Sequence, residues 1–396
     1  MNLQGIETPP NSMQKSQKKI MPDFLRRRAH TLELVRRLDH RANGVLLCNA
    51  LDIRYLTGTS HGISWLVVEE DCCFAVSRHM LISEVRAEAV DCEILLPSDR
   101  STDRPDLEQF VVAELARRGI DCVLVDPVKI SAQSYRRLSA HASACGIELL
   151  DLPEVLTTVR AIKDSAELAV TRTCVHIAEQ AMSDLLAQGA NALIGRSERE
   201  IAAELESRMF VLGADRQAFP ETGIIVASGP HSASAHHTPG QRRIAAGEVL
   251  LIDWGAELAG YRSDLTRTVF LGSVPTFAQH AYPVVERALQ RAVTRLRAGA
   301  KMGEIDLAAR ETITDAGYPE FHYGVGHGVG LAIHEAPWLR ANSDDLCAAE
   351  MLTTIEPGIY LPDIGGIRIE NLYRITPDGN ECLGTLPTDL ASMVIT

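Results

Sequence analysis

Several things are missing from this chain, and each absence excludes a class of function. Nine cysteines are present, but none forms a C-x-x-C pair, so zinc-ribbon and dithiol redox motifs have no support. Cys48, Cys72, Cys73, Cys92, Cys122, Cys145, Cys174, Cys347 and Cys382 are scattered, mostly in apolar strand-like runs. A free cysteine in such a run acts as a small hydrophobe, and this usage fits a reducing cytoplasm. Positive charge is scarce. The net charge of −13 argues against nucleic-acid binding, which runs on cationic contacts to phosphate. No apolar run reaches the length of a membrane span, so no membrane partner is expected. The opening MNLQGIETPPNSMQKSQKK has no apolar core segment, and it is not expected to be a signal peptide.

What remains is an ordinary globular composition. The chain has 396 residues, 46% hydrophobic and 23% charged, enough for two or three domains with substantial cores. Residues 1–21 are rich in Gln, Ser, Pro and Lys and read as a disordered tail. Residues 22–155 alternate helical and strand-like segments, an α/β domain. An amphipathic helix from Pro22 to about Asp39 is followed by apolar runs at Gly44–Cys48, Ser64–Glu69, Cys72–Val76, Cys92–Leu96 and Cys122–Val125. Helical segments intervene near Asp106–Arg118 and Ser131–Ala144. Leu152–Lys163 reads as a linker. Residues 156–396 form the second domain, where two helices followed by a carboxylate-bearing hairpin occur twice. That repetition suggests internal duplication.

The chemistry concentrates in these hairpins. Asp253 ends the apolar run Val249–Ile252, and Asp264 lies on the returning strand. Glu356 ends another apolar run before Pro357-Gly358, and Glu370 follows Arg368 by two residues, on the same strand face. Between the hairpins lies Gly326-His327-Gly328, where glycines allow close backbone approach. A buried carboxylate is costly unless paired, hydrogen-bonded or bound to a cation. Singly, each of these residues has a plainer role: a turn cap, a surface pair, a loop histidine. Together, Asp253, Asp264, His327, Glu356 and Glu370 make a carboxylate-rich set with one nitrogen donor. Such a set suits two divalent ions sharing oxygens: Mn²⁺, Co²⁺, Fe²⁺ or Zn²⁺.

At this point the sequence resembles the "pita-bread" metallopeptidases: aminopeptidase P, prolidase and methionine aminopeptidase. The matching stretches are IDWG (252–255), SDLTRT (263–268), GHGVGLAIHE (326–335), TIEPGIY (354–360) and GIRIEN (366–371). LDIRYLTG (51–58) and VRAIKDSAEL (159–168) resemble the creatinase-type N-terminal domain and its linker, a domain that points to the proline-specific branch. The resemblance implies a creatinase-like α/β domain followed by a pseudo-two-fold pita-bread domain, α/β (α+β) overall. It implies that the five residues above bind two divalent ions, Mn²⁺ first among the alternatives, with Asp264 and Glu370 bridging and Asp253 holding one ion. It implies cleavage of Xaa–Pro bonds in small peptides by a metal-bridging hydroxide, with Glu356 shuttling the proton. His236 and His334 match histidines that bind substrate and stabilise the reacting carbonyl, and Arg368 matches the arginine that orients the solvent network. A homodimer or homotetramer is the expected assembly.

Three positions depart from the family's pattern. Tyr323 stands where the histidine signature begins with His or Ala, Ala332 replaces an acidic residue, and His231 replaces Asn. Tyr323 and His231 are therefore expected to line the substrate pocket. The departures keep open a relative of the same fold acting on a small non-peptide substrate, as a creatinase-like hydrolase or a lyase. A non-catalytic binding module is the other alternative, disfavoured by the intact ligand set. Whether the peptidase is a dipeptidase or an aminopeptidase P stays open. His61 reads as a surface-loop residue, His237 and His322 as bystanders, and Trp254 and Trp338 as packing residues.

Overall fold

A computed structural model describes residues 22–59, 61–70, 73–97, 106–153 and 155–396. The tail expected over residues 1–21 lies outside the described residues. The front domain runs α1 (Phe24–Leu38), β1 (Gly44–Leu47), α2 (Ala50–Thr57), β2 (Ile63–Glu69), β3 (Cys73–Ser77), α3 (Ile82–Glu88), β4 (Glu93–Leu95), α4 (Leu107–Arg117), β5 (Cys122–Val125), α5 (Ala132–Ala144) and β6 (Glu148–Asp151). Its strands form one sheet in the order β4-β3-β2-β1-β5-β6. β2 runs antiparallel to both β1 and β3, while β5 is parallel to β1 and β6. The strands are apolar at consecutive positions because both faces are covered. Leu46, Trp65, Val67 and Val123 pack on α4 and α5. Val45, Leu47, Leu66 and Val68 face α1 and α2, and this second core also takes in Tyr261 and Leu331 from the other domain.

The expected linker contains a helix, α6 (Val155–Ala161), and leads into α7 (Ser165–Leu186). Asp164 and Glu167 cap α7 reciprocally. A short α8 (Ala190–Leu193) precedes α9 (Glu198–Val211). Ser197 and Glu200, three residues apart, form a capping box at the start of α9.

The first half of the second domain continues with β7 (Arg216–Gln217), β8 (Ile225–Ser228), β9 (Val249–Trp254), β10 (Ala256–Leu258), β11 (Tyr261–Arg262) and β12 (Leu265–Leu271). The stretch expected to be one hairpin is two. β9 pairs with β12, and the tip folds away as β10–β11, which pairs with β7. The tip turns through Ala259 and Gly260, both at positive φ (50° and 84°), the conformation of a two-residue hairpin. The returning strand also runs past Thr268 to Leu271, pairing with β20 (Val394–Ile395).

After α10 (Thr276–Arg295) and α11 (Met302–Asp315) come β13 (Gly326–Gly328) and β14 (Glu335–Leu339). The second hairpin is two nested pairs, β15 (Leu352–Ile355) with β18 (Asn371–Ile375), and β16 (Gly358–Leu361) with β17 (Gly365–Arg368). β19 (Asn380–Cys382) extends the outer pair. The two halves meet through an antiparallel bridge between Thr266 and Glu370, with Glu370 N–H donating to the Thr266 carbonyl at 3.2 Å. No helix among the described residues is long and apolar enough to cross a membrane.

Candidate metal centre and active site

Each candidate ligand sits at or beside a break in a strand, where the side chain leaves the ladder and turns toward the seam between the halves. Asp253 is near the end of β9, and Asp264 directly precedes β12. Glu356 follows β15, and Glu370 lies between β17 and β18. His327 is the middle residue of β13, and its neighbours must be glycine. A Cβ on Gly326 would stand 1.9 Å from the Thr354 carbonyl oxygen, and one on Gly328 2.1 Å from that of Ala336.

These residues converge. Ligand atoms of Asp253, Asp264 and Glu370 lie within 4.8 Å of one another, and so do those of His327, Glu356 and Glu370. His327 Nε2 is 3.2 Å from Glu356 Oε1 and 3.6 Å from Asp264 Oδ2. Its Nδ1 is 3.1 Å from the Gly328 carbonyl oxygen. With a cation in place, a proton on Nδ1 would satisfy that carbonyl and leave the Nε2 lone pair for the ion, the tautomer a metal ligand needs; without one, Nε2–H faces Glu356.

The charges do not balance. Asp264 and Glu370 are 2% and 1% exposed. Arg368 is the fixed cation in contact, its Nη2 2.7 Å from Asp253 Oδ2. Burial, reinforced by the neighbouring carboxylates, pushes Asp264 and Glu370 well above the ordinary carboxylate range. Burial also raises Asp253, despite Arg368. Glu356 behaves differently: burial is outweighed by His327 and Arg368, which hold it below the usual value. Asp253 Oδ1 is buried without a hydrogen-bond partner, in a group whose unpaired burial is expensive. An orphaned oxygen, surplus negative charge and an imidazole nitrogen facing the same point fit divalent cations.

The cluster forms the floor of a cavity of about 690 Å³. His236, His334, Arg368 and Tyr323 line it together with the five candidate ligands. The His334 ring stands edge-on to His327 at 4.4 Å. Burial and then the charge of His327 push His334 down to about 4, so it is neutral near pH 7. Arg368 is fully engaged: Nε donates to Thr266 Oγ1 (3.0 Å), and Nη1 to Tyr360 Oη (2.8 Å) and the Ala235 carbonyl (3.2 Å). Thr266 in turn donates to Glu370 at 2.6 Å. The Tyr323 and Tyr360 hydroxyls are 2.8 Å apart.

Not every expected site residue reaches the cavity. His231 is absent from its lining and bonds to Glu198 instead, Nδ1 to Oε1 at 2.9 Å. One expected bystander and one expected packing residue change place. His322 lines the cavity, and Trp338 is 36% exposed on its wall, 6.3 Å from the His327 ring. A β14 strand ending at the cavity rim turns Trp338 outward. Trp254 packs as expected, its indole N–H donating to the Ala178 carbonyl at 2.8 Å. Tyr360 and Thr266 were not singled out from the sequence.

Residues 169–377 match the family model of metallopeptidase family M24, and residues 27–162 match that of the creatinase/prolidase N-terminal domain. A Xaa-Pro dipeptidase from Pyrococcus furiosus is 30% identical over 351 residues, 88% of this chain and 95% of that protein. The structure of a Xaa-Pro dipeptidase from Bacillus anthracis superposes with a TM-score of 0.83 at 30% identity, covering 93% of this chain and 99% of the other. An X-Pro aminopeptidase from Thermotoga maritima superposes with a TM-score of 0.80 at 28% identity, covering 90% and 99%.

Proposed function

The chain belongs to metallopeptidase family M24, and from that premise we propose that it is a metallo-exopeptidase cleaving Xaa–Pro peptide bonds. The observation that carries the reading is the uncompensated carboxylate cluster with its orphaned Asp253 oxygen, set in the floor of an open cavity. Asp253, Asp264, His327, Glu356 and Glu370 would hold two divalent ions, with Mn²⁺ the preferred metal. When bound, these ions supply an activated water and Lewis acidity toward the scissile carbonyl.

The chain's own groups supply the rest. Glu356 is ionised at neutral pH and takes the proton of the attacking water. It returns that proton to the proline nitrogen, which has no N–H of its own and must be protonated before the C–N bond breaks. His334, neutral near pH 7, and His236 donate hydrogen bonds to the carbonyl oxygen as it gains charge, or to the substrate's proline end. Arg368 holds Asp253 and, through Thr266, Glu370, keeping the donor set in register. Tyr323 and Tyr360 close the wall beside it. The cavity volume falls in the range that encloses small ligands, which supports short peptides as substrates. Cys48, Cys73, Cys122, Cys145, Cys174, Cys347 and Cys382 carry free thiols, which supports a reducing, cytoplasmic setting. A homodimer or homotetramer completes the reading, checked by sedimentation.

The deciding experiment assays Ala-Pro, Gly-Pro and an Xaa-Pro-Pro tripeptide side by side with Mn²⁺-loaded protein. Hydrolysis of the dipeptides alone assigns a dipeptidase, and hydrolysis of the tripeptide an aminopeptidase. No hydrolysis of any of them with Mn²⁺ or Co²⁺ sinks the peptidase reading.

A further inference from the structure

Outside the cavity floor, the described residues hold one other group of carboxylate and imidazoles at metal-ligand spacing: Glu198, His231 and His237. Glu198 is the first residue of α9 and is fully buried, and among the described residues no Lys or Arg pairs with it. Its two oxygens accept five hydrogen bonds. Oε1 takes Ser228 N–H (2.8 Å), Ser228 Oγ (2.8 Å) and His231 Nδ1 (2.9 Å), and Oε2 takes His237 Nε2 (2.9 Å) and Gly240 N–H (3.1 Å). A carboxylate offers about four lone-pair sites, so donors already occupy the positions a metal would need. Burial alone would raise its pKa, yet hydrogen bonds from His237, Ser228 and Gly240 hold it at about 2.

All five donors come from one loop, residues 228–240, and that loop carries His236 into the cavity. The loop is gripped from the other side as well. Arg368 binds the Ala235 carbonyl at 3.2 Å, and Gly366 N–H binds Ser232 Oγ at 2.8 Å. His236 is thus suspended between Arg368 in front and Glu198 behind. The His231 and His237 rings pack on each other at 4.4 Å, joining the two ends of the loop.

We propose that Glu198 is a positioning residue for His236, acting by holding His231, His237 and the loop amides in the one arrangement that presents the His236 ring to substrate. His231 and His237 then belong to this anchor and not to the substrate pocket. The inference rests on the role given above to His236. Glu198→Gln tests it, since the amide keeps the shape but sets an NH₂ against donors that both carboxylate oxygens now accept.

Two measurements on the full chain decide the matter. In the first, Glu198→Gln, His236→Ala and the double variant are compared on Ala-Pro at equal bound metal. Glu198→Gln should lower kcat by about 10-fold, as loss of a supporting partner does, with KM moved by less than about 2-fold. On the His236→Ala background it should cost nothing further. Losses that multiply would mean that Glu198 acts elsewhere and would overturn the proposal. Undiminished turnover in His236→Ala would remove the role of His236, and the proposal with it. The second measurement needs no turnover. Hydrogen–deuterium exchange of residues 228–240 should quicken by about 10-fold in Glu198→Gln while the rest of the domain is unchanged. Exchange identical to wild type overturns the proposal even if the protein cleaves no Xaa–Pro peptide at all.

Discussion

Two clusters of buried charge lie close together in this protein, and they are built on opposite rules. At the junction of the domains, Glu335 is bound by Lys163 Nζ at 2.7 Å and by Arg160, which also binds Asp52 at 2.7 Å. Two carboxylates meet two cations there, and the net charge is zero. On the cavity floor, four carboxylates meet Arg368 and one imidazole, and Asp253 keeps an oxygen without a partner. The contrast shows at Glu335 and Asp264. Burial of Glu335 is outweighed by Lys163 and Arg160, which hold it below the usual range, whereas burial and like charges push Asp264 far above it. A buried charge cluster that closes on itself is a structural joint. One that does not close is a site for a cation from outside.

The joint also explains motifs that had no role beyond resemblance. Asp52 comes from LDIRYLTG, Arg160 and Lys163 from VRAIK, and Glu335 immediately follows His334. The front domain therefore fastens the loop that carries His334, in addition to packing Tyr261 and Leu331 into its own core.

The comparison can be broken at either end. The largest effect is expected on the open cluster's chemistry. Glu356→Gln should lower turnover by about 10³-fold, the scale of a lost proton shuttle, while metal analysis shows the ions largely retained. Near-normal turnover would refute the role given to Glu356. Neutralising one carboxylate in each cluster should then act in opposite directions. Glu335→Gln leaves Arg160 and Lys163 without their shared anion and should destabilise the protein by about 3–5 kcal/mol, with or without metal. In chelator-treated protein, Asp264→Asn should raise the melting temperature, because it relieves like-charge repulsion. A fall would mean that the cluster is already balanced.

The smallest effect concerns acid. The folded-state pKa of Glu335 is lowered, so its contribution to stability is fully present above the unfolded value of about 4.3. It is lost as pH falls from there through the folded value. Denaturant titrations at stepped pH should show this loss in the wild type and a flatter dependence in Glu335→Gln. Equal slopes would show that the junction pair contributes nothing in that range.

Much of the fold was legible in local pattern. Five of the six front-domain strands fall where apolar runs stand between turn residues, while β6, two leucines between acidic residues, was not read, nor was the capping box of Asp164 and Glu167. Helices α2, α3 and α6 were not read, being only seven or eight residues long, too short for a helical period to stand out. The turn at Gly260 was legible, but the departure of the hairpin tip into a second sheet was hidden, since a strand that leaves one sheet for another keeps its apolar alternation.

The candidate site divides along the same line. Asp253, Asp264, His327, Glu356 and Glu370 could be picked out from the chain because a charged residue inside an apolar, glycine-flanked run is costly, and that cost is visible locally. The roles of Glu198, His231, Tyr360 and Glu335 were not visible, because each depends on partners far away in sequence: Glu198 on Gly240, His231 on Glu198, Tyr360 on Tyr323, Glu335 on Lys163. The sequence by itself determined the class of chemistry, through donor types and where they stand in the strands. Only the tertiary structure decided which buried charges are closed pairs and which are left open. Charge balance is a property of what surrounds a group in space, and chain order does not record it.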